Sequence, residues 1–200
     1  AIRRDAEGRV SSLFLGYQNL GLHEVAGWDF NIDYGLELFS GYLDINYFAT
    51  KMNKRTIEDD SFGDVNYKCL GVFNGDCDNL IDYPVFDFKH RMTLGWSKEK
   101  IDLQLVWKFS SSLEDGNDEI EYFTEKLDNY SILDLSGRYS LTDDWTITAG
   151  VKNLLDKKPQ AIGSNSWELL KDDIPSISNT YTQYYDVFGR TMFLKASLAL

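Results

Sequence analysis

Two cysteines, Cys69 and Cys77, bracket a short stretch that contains two glycines, Gly71 and Gly75. In an oxidising compartment such a pair most simply closes a disulfide, which would restrict an otherwise loose excursion. A zinc centre would need more thiol or imidazole ligands. The chain has only two histidines, His23 and His90, and His90 falls on the apolar side of its own alternating segment. Nearby, Asp76, Asp78, Asn79 and Asp82 gather oxygen atoms of the kind that calcium takes. Their spacing is not that of an EF-hand, and a solvated acidic loop would look the same, so no metal is assigned. Asp29, Asp33, Asp44, Lys89, Arg91, Asp102, Lys108, Asp134, Arg138 and Lys152 carry both signs and alternate with apolar residues. Pairing across neighbouring strands accounts for them. No acid–base couple, nucleophile elbow, phosphate loop or metalloprotease motif is present, so neither an enzyme nor a cofactor is expected.

The elements that must carry these residues are strands, because apolar and polar residues alternate and successive side chains of a strand point to opposite faces. Residues 28–34 set Trp28, Phe30, Ile32 and Tyr34 against Asp29, Asn31 and Asp33. The same alternation predicts strands at 43–49, 86–97, 101–109, 133–140, 145–152 and 192–200, with a weaker one at about 10–18. Val106 interrupts the polar side of its segment. All three prolines, Pro84, Pro159 and Pro175, fall outside these segments. The reading is all-β and antiparallel, with about eight long strands. Short turns near 37–41, 97–100 and 141–144 alternate with excursions at roughly 19–26, 55–84, 113–128 and 154–183. Long strands joined in this way suit a transmembrane β-barrel segment with short periplasmic turns and long extracellular loops. Aromatic residues agree: Tyr34, Trp96, Tyr139 and Trp145 lie near the lower ends of the apolar face, and Trp28, Tyr47, Phe86, Trp107 and Phe109 near the upper ends. No run of apolar residues is long enough for a membrane helix. A soluble or surface-located β-sheet ligand-binding domain, with the apolar faces packed inside, and a passive porin-like channel are the alternatives.

Asn153-Leu154-Leu155-Asp156-Lys157-Lys158-Pro159 resembles the N-L-F-D-K-x-P signature of TonB-dependent outer-membrane receptors. Tyr185-Asp186-Val187-Phe188-Gly189-Arg190, followed by a final alternating strand, is similar to the closing Y-D-x-x-G-R segment of that family. Gly27-Trp28-Asp29-Phe30, and Pro84 ahead of His90-Arg91, resemble two earlier strand entries of the family, in the same order. The resemblance implies that residues 1–200 are the C-terminal portion of such a barrel, with the plug domain and N-terminal strands lying outside them. It further implies the outer membrane of a Gram-negative bacterium, and energy-coupled uptake of a scarce nutrient. The partners it implies are outer-membrane lipid and lipopolysaccharide, the plug and TonB complex through the rest of the receptor, and a small nutrient ligand. In such a receptor the loop aromatics Tyr67, Phe73, Tyr122, Phe123, Trp167, Tyr181 and Tyr184 would suit stacking on a sugar or another amphipathic ligand.

Net charge is −12, with 20 Lys and Arg against 32 Asp and Glu, which disfavours nucleic acid as a partner. The excursions 55–84, 113–128 and 154–183 carry −5, −6 and −1, which together equal the whole net charge. Loops so poor in Lys and Arg disfavour a strongly anionic ferric-catecholate ligand. An oligosaccharide is therefore expected ahead of a siderophore or a corrinoid.

Overall fold

The computed structural model describes residues 2–13, 21–59, 65–73, 85–116, 126–161, 180–181 and 184–199. Among them run thirteen strands. Seven are long: β3 (Gly21–Leu38), β4 (Gly41–Asp59), β7 (Phe88–Lys98), β8 (Ile101–Ser110), β11 (Tyr130–Ser140), β12 (Trp145–Lys152) and β13 (Thr191–Leu198). They pair antiparallel in the order β13-β12-β11-β8-β7-β4-β3, each beside its neighbour along the chain, and β5 (Val65–Lys68) adds to the far end of β4. Short turns at 39–40, 99–100 and 141–144 all lie at one end of this meander, and the long connections at the other.

Register separates the two faces. On one, Leu36, Leu43, Trp96, Leu103, Gly137, Ala149 and Leu194 stand side by side across all seven strands. This outer face is apolar and open: Trp28 is 65% exposed, Ile32 55% and Leu194 77%. Along β3 it runs from Trp28 to Leu38, about 33 Å of strand, or ~25 Å of height at the usual barrel tilt of roughly 40°. Trp96 donates its indole N–H to the Leu38 carbonyl at the lower edge, and Trp107 donates to Ser131 Oγ nearer the upper one. His90 sits on the same face among Tyr47, Trp107 and Phe109, its ring stacked on Phe109 at 5.3 Å.

The inner face is polar and laced across strands. Thr50 donates to Asp29, Asn46 to Asp33, Lys108 to Asp134 and Arg138 to Asp102, at 2.6 to 2.8 Å. Val106 and Ile132, both buried, are apolar exceptions on this face.

The strands outrun the alternation that predicts them. β3 begins at Gly21, so 21–26 is strand and not loop, and β4 continues to Asp59. A bulge between Ala26 and Gly27 opposite Met52 and Lys54 marks the change. Beyond it the outward residues turn polar, with Lys54 paired to Glu24 and Thr56 beside them, while the backbone ladder continues. Periodicity fades where the outer face stops being apolar; hydrogen bonding does not. Of the weak strand expected at about 10–18, the described part is β2 (Val10–Leu13), paired with β1 (Ile2–Arg4) in a separate two-stranded sheet. Residues 14–18 lie outside the described residues. Phe86 also departs from expectation: the strand starts only at Phe88, and Phe86 packs on the inner side instead of joining the outer aromatic belt.

Candidate functional site: a loop cap and a clasp over the inner wall

At the long-loop end, two structures form from segments that sequence reading treats as loops. The first is a clasp. β12 ends at Lys152, and Asn153 and Asp156 adopt positive φ of 51° and 54°. Asn153 is fully buried. Its side-chain amide donates to the Lys157 carbonyl and its Oδ1 accepts the Lys157 N–H, closing a tight loop on itself. Its own N–H donates to Asp134 Oδ1, and the Leu154 N–H reaches the Leu133 carbonyl, fastening that loop to β11. Asp156 Oδ1 accepts the Arg190 N–H and the Lys158 ammonium, both at 3.1 Å. Gly189 has a φ of +66°, and a side chain there would approach Asp156 Oδ1 to 3.3 Å. The two family-like motifs thus meet: the first closes the end of β12, and its carboxylate ties down the start of β13. The Lys158 ammonium and the Arg190 N–H hold the Asp156 carboxyl below its ordinary pKa.

The second structure is a cap. β6 (Val72–Phe73), β9 (Leu113–Asp115) and β10 (Lys126–Leu127) form a three-stranded sheet, parallel between β6 and β9. Phe73, Leu113 and Leu127 bury themselves between these strands, with Phe86, Tyr181 and Tyr184 packed around them. Gln160 donates to the Lys126 carbonyl and accepts the Asp128 N–H, while Thr180 donates to the Gln160 carbonyl. Three long connections therefore join in one body. It sits on the polar side of the sheet: the Lys89 ammonium lies 4.2 Å over the Phe86 ring, and Tyr185 meets Tyr130 edge-on at 4.8 Å. Burial, with Asp128 and Tyr130 nearby, pushes the Tyr185 phenol up to about 12. A recess of about 230 Å³ opens beside it, lined by Asp128, Asn129, Tyr130, Lys157, Lys158 and Tyr185 among others.

The expected ligand-stacking aromatics do not gather into one platform. Tyr181 meets Phe73 edge-on at 5.3 Å and Tyr184 meets Phe86 at 6.2 Å, so both serve the packing of the cap. Tyr67 lies on β5 opposite the buried Ile57. Tyr122, Phe123 and Trp167 lie outside the described residues, as do the calcium candidates Asp76, Asp78, Asn79 and Asp82. Cys69 is buried and disulfide-bonded, and Cys77 lies outside the described residues. Among the described residues no cluster of His, Cys, Asp and Glu could hold a metal ion. Sequence reasoning missed the buried Leu113 and Leu127, whose signal is an isolated apolar residue at each end of an acidic loop. It also missed Phe48, an aromatic on the polar side of β4 that is 51% exposed.

The family model described as "TonB dependent receptor-like, beta-barrel" matches residues 2–154. Among solved structures, a mutant of the ferric enterobactin receptor PfeA from Pseudomonas aeruginosa matches at 17% identity, with a TM-score of 0.53. Another PfeA mutant, in complex with enterobactin, matches at 16% identity and a TM-score of 0.54. In both cases the match covers 87% of this chain and 22% of the receptor, so this chain spans about a fifth of the solved protein's length. At this identity the likeness is one of fold. A search among curated proteins gives no match.

Proposed function

The chain belongs to the TonB-dependent receptor β-barrel family, whose members are transporters and not enzymes, and from that premise we propose that residues 1–200 form the C-terminal portion of an energy-coupled outer-membrane receptor. On this reading the seven-stranded meander is part of the barrel wall, the short turns face the periplasm and the cap sits over the outer mouth. One observation carries it: an antiparallel meander whose outer face is an exposed apolar band, ~25 Å tall as in outer-membrane barrels, while its other face is polar. Lipid, with lipopolysaccharide in the outer leaflet, would cover the band. A plug held inside the barrel and the TonB complex would supply the coupling.

Of the ligand classes, an oligosaccharide rests on the loop aromatics, and those described here are engaged in packing or set apart. A siderophore-type ligand gains support from the inner wall, where basic side chains concentrate below the cap, and the similar solved structures are receptors for ferric enterobactin. The test uses the receptor that carries this chain. It should fractionate with the outer membrane, need detergent for extraction, and import its nutrient only while the inner-membrane energy complex is intact. A well-folded chain released into buffer without detergent would overturn the reading.

A further inference from the structure

The cap has a covalent component that its three short strands need. β6 is two residues long, yet Phe73 at its end is 1% exposed and belongs to the cap core. A strand of that length, paired with β9 across a long stretch of chain, gains little from its ladder against the entropy of ordering its connections. The segment that carries it is nevertheless fixed on several sides. The Cys69 N–H donates to the Arg55 carbonyl on β4 at 2.8 Å, and the Gly71 N–H to the Val85 carbonyl at 2.7 Å. From the other direction, the Glu114 and Gly116 N–H groups reach the Gly71 and Phe73 carbonyls, both at 2.8 Å. Cys69 stands at the head of this segment, 1% exposed and disulfide-bonded, and the sequence holds one other cysteine, Cys77. The bridge therefore encloses Val72 and Phe73, the whole of β6, in a ring that runs from 69 to 77. Closing a ring removes open conformations from the chain before β6 pairs, which supplies what the ladder lacks.

Burial sets the order of events. A disulfide forms by attack of one thiolate on an oxidant's sulfur and then of the second thiolate on the mixed bond, so the sulfurs must be reachable. In the finished fold Cys69 is not. We propose that the Cys69–Cys77 disulfide is a redox switch for assembly of the cap: it closes first, and the oxidised ring then lets β6 join β9. In the closing step the two thiols lose two protons and two electrons to a disulfide-bearing oxidant, which leaves as its dithiol. Once the cap is built, the bond is shut off from thiols, and the cap must open before the bond can be reduced. The switch stands whether or not the barrel transports anything.

The experiment compares the full receptor in detergent with its Cys69→Ser, Cys77→Ser double variant. Hydrogen exchange at the Glu114 and Gly116 amides reads the cap, and at the Leu154 amide, bonded to the Leu133 carbonyl, it reads the clasp. The double variant should exchange about fiftyfold to a hundredfold faster at Glu114 and Gly116, the factor expected for opening a ring of this size, with Leu154 unchanged. Leu127→Ala loosens the cap core without touching a cysteine. It should speed reduction of the bond by dithiothreitol about tenfold or more, read by maleimide mass tagging of the freed thiols. In the parent protein, reduction should be slow in buffer and fast in urea. Cap amides as well protected in the double variant as in the parent would overturn the switch. Equal reduction rates in the parent and Leu127→Ala, or a parent bond reduced as fast in buffer as in urea, would overturn the order of events. Should the double variant fail to accumulate, the parent reduced in mild urea and kept under dithiothreitol gives the same exchange comparison with an unaltered sequence.

Discussion

Asn153 concentrates more bonding than any other residue of the clasp, since its side chain both donates to and accepts from the backbone of Lys157 while wholly buried. Asn153→Ala leaves two backbone groups without partners and removes a residue type that tolerates positive φ, so it should cost about 2–4 kcal/mol. The unfolding midpoint of the receptor in urea and detergent measures this. Asp156 adds a pH dependence whose sign follows from its lowered pKa. A carboxyl held below its unfolded value contributes stability above that unfolded value, and the contribution is lost as pH falls through the folded one. The Arg190 amide should therefore lose hydrogen-exchange protection as the solution is acidified through the acidic end of the carboxylate range. Asp156→Asn should flatten that dependence, and an unchanged acid profile in this variant would place the effect elsewhere. The residues of the clasp were legible in the sequence as two motifs, but their mutual contact was not, because more than thirty residues separate Asp156 from Arg190 and nothing local encodes the meeting.

Strand existence was written plainly in the alternation, because an apolar face beside a polar one leaves a period of two wherever the outer surface meets lipid. The cap was not legible, since β6, β9 and β10 are two or three residues long and too short to show any period. The hairpin joining β3 to β4 has a weakness of its own. Its two turn residues, Phe39 and Ser40, both hold positive φ, 51° and 59°, in a connection that favours Asn-Gly. The double substitution Phe39→Asn with Ser40→Gly should stabilise the hairpin by about 1 kcal/mol, read as a higher urea midpoint with an unchanged slope. The turn lies far from the cap, so ligand binding should not move.

For the molecule as a whole, the two faces obey opposite rules. Ile32 lies near the middle of the apolar band, and Asn31 beside it points to the polar side. Ile32→Arg should cost about 2–4 kcal/mol, as a cation in mid-bilayer does, while Asn31→Arg should change stability by roughly 0.5 kcal/mol or less. Comparable costs for the two would mean that lipid does not cover the outer face. The charge map has the same geometry: the net −12 resides in the excursions at the long-loop end, and the remaining chain balances. The clasp has a consequence for how such a molecule can change over generations. Because Asp156 and Arg190 are fastened to each other at the foot of their excursion, the two ends of that loop are held together whatever its length. Doubling the length of a loop whose ends are fixed costs only about 0.6 kcal/mol, so selection or an engineer can lengthen this excursion at little cost to the wall beneath.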